Sequence, residues 1–136
     1  MNPFQNLIID SLISTRHVES AAVLAAKSGG IMAASPGLQV LPREARAFTG
    51  AFRRLAAVRE RGLERGPWGV FCFQEEEFGC VRADRNSIYC KRGGRGLVLV
   101  RTGLFVLVAT YNEDMFPSVC VEAVEKLAEY LREKGK

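Results

Sequence analysis

The side chains able to do chemistry are few and scattered. Cys72, Cys80, Cys90 and Cys120 are the only thiols, and His17 is the only imidazole. A catalytic nucleophile needs a base within hydrogen-bond reach, and no spacing in this chain identifies such a pair. Zinc needs clustered ligands, and there is neither a CxxC pair nor a Cys/His group. Each cysteine lies within or beside an apolar segment, so buried free thiols in a reducing compartment are expected. His17, lacking partners, is expected on the surface or in a turn. Glu75, Glu76 and Glu77 could hold a cation, but nothing completes the site, and a solvated turn is simpler. Lys91-Arg-Gly-Gly-Arg-Gly96 offers three cations and mobile backbone amides to an anion. It lacks the GxxxxGK[ST] spacing and joins strand to strand, so a phosphate-cradling enzyme loop is rejected. A plain hairpin turn is the alternative. No catalytic residue, metal or cofactor is expected, and a binding module is the favoured class.

Charge points weakly the same way. The 136 residues carry a formal net charge of +4, a mild bias toward anionic partners that solubility alone would explain. Arg43, Arg46, Arg53, Arg54, Arg59, Arg61 and Arg65 lie together in sequence. They read either as a solvated helix face or as a surface for acidic lipid headgroups or nucleic acid. Glu44, Glu60 and Glu64 dilute that signal. No apolar run reaches the roughly 18–20 residues of a membrane span. The N-terminus lacks a signal-peptide pattern, so secretion is not expected.

The elements that must position these residues centre on Leu97–Val100 and Leu104–Ala109, two apolar runs separated by little more than Thr102-Gly103. They read as a tight antiparallel hairpin. Neither run alternates apolar with polar, so the hairpin is expected to be buried on both faces, with helices as the cover. Asn2-Pro3 opens a helix over 3–14, with Phe4, Leu7, Ile8, Leu12 and Ile9 as its stripe. Ala21–Ala26 and Ile31–Ala34 flank a Gly-Gly turn as a second hairpin. Pro42 starts a helix whose apolar positions are Phe48, Phe52, Leu55 and Ala56. Val70–Phe73, Phe78–Arg82 and Ser87–Cys90 read as strands, with Trp68 just ahead of the first. Ser118 is the expected cap of a last helix, Val119–Lys134, with Cys120, Val124, Leu127, Ala128 and Leu131 inside. Residues 1–136 form a single domain.

These residues also carry a family resemblance. Gly96-LVLVRT-Gly103, Tyr111-NEDMF-Pro117 and Glu125-KLAEYLREK-Gly135 resemble a profilin. Phe4-QNLIID-Ser11 fits the family's first helix, and Ala33-Ala-Ser-Pro-Gly37 fits the segment after its second strand. Cys80-VRAD-Arg85, Leu107-VATY-Asn112, Pro117-SVCVEA-Val124 and Tyr130-LREK-Gly135 are similar to the vertebrate germ-cell branch. The resemblance spans essentially the whole chain, with an insertion around Glu64–Trp68. It implies a profilin-like α+β fold, a central antiparallel sheet with the N- and C-terminal helices on one face and shorter helices on the other. It implies a cytoplasmic, cytoskeletal protein of male germ cells that is not an enzyme.

The family's activities carry over unevenly. Its proline-binding groove is an aromatic cluster, because flat rings pack against a stiff polyproline II ridge. Phe4 stands for a tryptophan, Leu7 for a tyrosine and Met32 for a second tryptophan. Tyr130 and Leu131 fit, and Lys136 replaces a terminal aromatic. Weak or absent binding of proline-rich proteins is expected. The actin face, in the loop before the last helix and its first turns, has Ser118, Val119 and Val121 where polar contacts are usual. Glu122 inverts the charge of a lysine and Lys126 departs from an acidic residue. Weakened actin binding is expected. Lys91, Arg92, Arg95 and Arg101, with Arg53 and Arg54, keep the basic character that binds phosphoinositides. Acidic phospholipids are therefore the expected partner, and nucleic acid is not. The alternatives are an ordinary actin-monomer-binding profilin regulating filament assembly, and a scaffold that binds an unknown protein through Val119 and Val121.

Overall fold

The computed structural model describes residues 3–60 and 70–136, except for the side chains of 53–60, 70 and 71. The apolar run Arg95–Arg101 forms β6 and Phe105–Tyr111 forms β7, paired antiparallel from Gly96↔Tyr111 to Arg101↔Val106. Every residue of β7 is buried. Successive strand residues point to opposite faces. Leu107, Ala109 and Tyr111 accordingly enter one core cluster and Val106 and Val108 the other. The hairpin is buried on both faces, as its unbroken hydrophobicity requires. Leu104, read as the start of the second strand, lies in the turn. Its N–H is donated to the Lys136 carbonyl at 2.6 Å, and Thr102 closes the turn by pairing with Phe105.

Five further strands extend this pair: β1 (Ser20–Ala25), β2 (Ile31–Ala34), β3 (Val70–Phe73), β4 (Glu76–Ala83) and β5 (Ser87–Arg92). All seven form one sheet in the order β2-β1-β7-β6-β5-β4-β3, with every pair antiparallel. The basic glycine loop is the tight Gly93-Gly94 turn between β5 and β6.

Helices cover both faces. α1 (Pro3–Ser11) and α3 (Pro117–Glu133) share a core with Val23, Val98, Val100 and Leu107. α1 ends earlier than its periodicity predicts, passing into a 3₁₀ turn at Ile13–Thr15 closed by Arg16 at φ 68°. Ile9 is exposed and does not join its stripe. The other face packs Ala22, Leu24, Leu97, Leu99 and Val108 against Ala45, Phe48 and Phe52 of α2 (Pro42–Glu60). Among the described residues that face carries this one helix of 19 residues, where the resemblance implied shorter ones. Leu55 and Ala56 have side chains outside the described set. Trp68, the Glu64–Trp68 insertion and the capping of Asn2 also lie outside the described residues.

Local expectations fail at three points. Ser118 caps nothing; α3 starts at Pro117, whose preset φ and missing N–H suit the first helical position, and Phe116 is its N-cap. Glu75–Glu77 is not a solvated acidic turn. Gln74 and Glu75 make the turn at φ 51° and 65°, and Glu76 and Glu77 already belong to β4. The buried Glu44 supports that strained turn. Its carboxylate accepts the Leu41 N–H at 2.9 Å, a third-position glutamate reaching back to its own helix start, and the Gln74 N–H at 2.8 Å. Third, Cys72 is exposed, whereas Cys90 and Cys120 are buried; all four thiols are free.

Gly96 is required by its cross-strand partner. A Cβ there would fall 2.0 Å from the Tyr111 ring, so the ring lies where a side chain would be. Gly96→Ala should cost at least about 2 kcal/mol by overpacking. In a Tyr111→Ala background the same change should cost almost nothing, because the clash is gone. Denaturant unfolding of the four proteins measures both.

Candidate functional site

Among the described residues no three His, Cys, Asp or Glu cluster as a metal site, and no helix is long and apolar enough to cross a membrane. The candidate sites are therefore surfaces, and α3 carries most of them. Its stripe of Cys120, Val124, Leu127 and Leu131 is buried on the sheet. That fixes which residues face outward.

Between α1 and α3 lies a groove of about 560 Å³. Leu7, Ser11 and Thr15 form one wall, and Val119, Ala123 and Tyr130 are among those forming the other. Of the expected proline-binding residues, Leu7 and Tyr130 meet here. Phe4 and Met32 are not part of it. Phe4 packs edge-on against Phe105 at 4.8 Å, and Met32 sits exposed on β2. Leu131 is 2% exposed and belongs to the core, so it offers no surface to a ligand.

The groove also takes in Glu122 and Lys126 from the expected actin face. These two pair one helical turn apart, Nζ to Oε1 at 2.8 Å. Their mutual hydrogen bond holds the Glu122 carboxyl below, and the Lys126 ammonium above, its ordinary pKa. Val119 and Val121 are half-buried, so they do not make the exposed apolar patch a scaffold would need. The exposed apolar residue at this end is Phe116, which stacks on His17 at 5.1 Å. The Phe116 N–H is donated to His17 Nδ1 at 3.0 Å. His17 is thus a turn residue, as expected, and it also secures the segment entering α3.

Sequence reasoning missed a polar cluster beside this face. Glu125 Oε2 accepts hydrogen bonds from Ser87 Oγ at 2.7 Å and from the Tyr89 hydroxyl. A bulge after Cys80 sets Arg82 opposite Tyr89, with its guanidinium 5.8 Å from the ring centre. Ser87 and Tyr89 do alternate onto one strand face, but nothing local marks Glu125, some 36 residues on, as their partner.

The six basic candidates do not form one patch. Lys91, Arg92 and Arg95 lie at the β5–β6 tip. Arg101 is at the far end of β6, about 20 Å away at some 3.3 Å per residue. Its carbonyl accepts from Arg132 there. The side chains of Arg53 and Arg54 lie outside the described set. Acid tempers the tip. Glu76 pairs with Arg92 at 3.4 Å and with Arg95, and Glu19 adds a 3.6 Å pair to Arg95. Glu113 packs so closely on Gly94 that a Cβ there would fall 2.9 Å from its Cγ. Lys91 makes no ion pair among the described residues.

A curled antiparallel sheet with its terminal helices together on one face is the arrangement implied for the family. The Profilin family model matches residues 2–136. The chain belongs to the profilin family. It is 43% identical over 136 residues to Profilin-4 of Bos taurus, covering 99% of each chain. Against Profilin-4 of Mus musculus it is 42% identical, again over 99% of each. The crystal structure of Acanthamoeba castellanii profilin II superposes with a TM-score of 0.83 at 32% identity, over 97% of this chain and 98% of that one. LokiProfilin1, solved in complex with rabbit actin, shares the fold at a TM-score of 0.73 and 12% identity, covering 98% and 96%. Profilins are cytoskeletal regulators.

Burial, the hydrogen bond to Glu125 and the charge of Glu125 together push the Tyr89 phenol up to about 12. The neutral phenol is therefore favoured by folding. That contribution is full below pH 10 and is lost as pH rises from about 10 to about 12. Tyr111 is also raised, by burial, so absorbance titration should find two late-ionising tyrosines, of which Tyr89 is the one that answers to Glu125. In Glu125→Gln Tyr89 should move down toward 10, because the charge and the carboxylate acceptor are both removed.

Proposed function

We propose that this profilin is a non-catalytic regulator of cytoskeleton and membrane organisation in the cytoplasm of male germ cells. It engages acidic phospholipids and binds actin monomers and proline-rich ligands only weakly. The observation that carries this reading is the outer face of α3. There Glu122 and Lys126 neutralise one another, in the reverse order to that expected of an actin-binding profilin. A partner built for the usual order meets a wrong-sign charge on each residue, and like charges at a desolvated interface cost several kcal/mol. Val119 and Val121 add no polar contact.

Loss of proline recognition rests on the groove. Of Phe4, Leu7, Met32, Tyr130 and Leu131, only Tyr130 presents a substantially exposed aromatic ring, at 46%. A polyproline II ridge finds one flat wall instead of several. Acidic-lipid binding rests on Lys91 and Arg92 at the β5–β6 tip, where both side chains are exposed. The resemblance to the germ-cell branch supports the cellular setting.

Actin assembly decides the main point. A large molar excess of the protein should leave the rate of filament growth unchanged; slowing at near-stoichiometric amounts would sink the reading in favour of an ordinary monomer-binding profilin. The triple variant Val121→Asn, Glu122→Lys, Lys126→Glu keeps the intrahelical pair but restores its usual order, and it should gain inhibition.

Vesicle sedimentation tests the lipid arm. Binding to phosphoinositide-bearing vesicles should fall with added salt, and Lys91→Glu with Arg92→Glu should abolish it. Glu76→Gln releases Arg92, while Glu19 still pairs with Arg95, and should strengthen binding by about 1 kcal/mol for the freed cation. Salt-insensitive binding, or none in Glu76→Gln, would rule out the tip as the lipid site.

A further inference from the structure

Cys80 on β4 and Cys90 on β5 face one another directly across the sheet. Facing residues of an antiparallel pair have Cα atoms about 4.5–5.5 Å apart. A disulfide spans about 4.4–6.8 Å. Both side chains lie on the α2 side: Cys90 is 1% exposed within that core, and Cys80 packs against its rim, half-exposed. The Cys80 thiol lies 3.5 Å from the Arg82 carbonyl oxygen, which it can reach as a donor. The Cys80 and Cys90 side chains hydrogen-bond one another. That hydrogen bond holds the Cys80 thiol below its ordinary pKa, while the same bond together with burial pushes Cys90 well up. The pair is thus unsymmetrical, with an accessible nucleophile backed by a buried thiol.

The remaining cysteines lack these features. Cys120 is buried under α3 on the other face, and burial pushes its thiol up to about 12. Cys72 is exposed, but its neighbour Phe73 enters the α2-side core, so Cys72 faces away from Cys80 and Cys90. None of the partner surfaces described above uses Cys80 or Cys90.

We propose that Cys80 and Cys90 are an oxidisable dithiol, a modification site at which a hydroperoxide produces an intramolecular cross-strand disulfide. The Cys80 thiolate attacks the peroxide, the O–O bond breaks, and Cys80 becomes a sulfenic acid while hydroxide leaves and takes up the proton the thiol had released. The Cys90 sulfur then attacks the Cys80 sulfur, the S–O bond breaks, and the departing hydroxide leaves as water with the Cys90 proton. Two thiols lose two electrons, and hydrogen peroxide becomes two waters. The bond fixes the strand immediately before the bulge that sets Arg82 opposite Tyr89. Oxidation on the α2 side thereby locks the register of the polar cluster on the α3 side.

The test is peroxide treatment of the full chain followed by peptide mapping without reductant. Trypsin cuts after Arg82 and Arg85, between the two cysteines, so their peptides stay joined only if the disulfide is present. The expected product is a monomer about 2 Da lighter with a Cys80–Cys90 link that reductant releases. Before oxidation, Cys80 should react with iodoacetamide at least about tenfold faster than Cys90 or Cys120. Cys80→Ser should abolish the link and Cys120→Ser should not. Cys90→Ser should stop at a sulfenic acid on Cys80 that dimedone traps. A serine at that buried position could unfold the chain, so the wild-type map and the half-exposed Cys80→Ser variant decide the matter on their own. A main product linking Cys72, a disulfide-bonded dimer, or four free thiols after excess peroxide would each overturn the proposal.

Discussion

Leu107 and Val108 are neighbours in sequence, and neither touches water. Because alternate strand residues face opposite ways, a strand buried at every position must have something apolar above it and below it. From that constraint the rest follows. α1 and α3 fill one side and α2 the other, and the outward faces of those helices become surfaces on which partners can dock. The chemistry of α3's exposed side is therefore the chemistry available to this profilin near its terminal helices. Its buried side leaves little freedom to reposition those groups.

The surface has a common electrostatic character. Cations that stand out in the sequence are repeatedly answered by carboxylates: Lys126 by Glu122 on its own helix, and, from other elements, Arg92 by Glu76 and Arg95 by both Glu76 and Glu19. Exposed pairs of this kind add little stability. They do lower the field presented to a ligand. A partner must either displace the internal acid or use what remains free.

The fold was largely legible because its signals are periodic and local. The unbroken apolar runs, the Gly-Gly turns and the 3–4 spacing along α3 each specify an element and its buried side. The site was less so. Leu131 fitted a family groove by position, yet the stripe that docks α3 takes it into the core. Glu125 lies outside the buried stripe of α3, yet Ser87 and Tyr89 claim its carboxylate from the sheet. Arg101 and Lys91 look like members of one basic stretch, but a strand separates them. In each case the deciding fact is a distance between elements, which spacing in one dimension does not encode. Ser118 is a different failure. The signal for a cap was present, and the stronger preference of Pro117 for the first helical position prevailed.

The order of strands in the sheet has a temporal meaning as well. β1 lies between β2 and β7, and Ser20 hydrogen-bonds Thr110 across 90 residues of sequence. On a ribosome that interval takes on the order of ten seconds. A two-stranded hairpin alone is marginal in water. β3 to β7 can zip together neighbour by neighbour as they emerge, whereas β1 and β2 are made first and gain their sheet last. For that period Ala21-Ala-Val-Leu24 lacks the strand that will bury it, so an apolar strand made early depends on an association that comes seconds later.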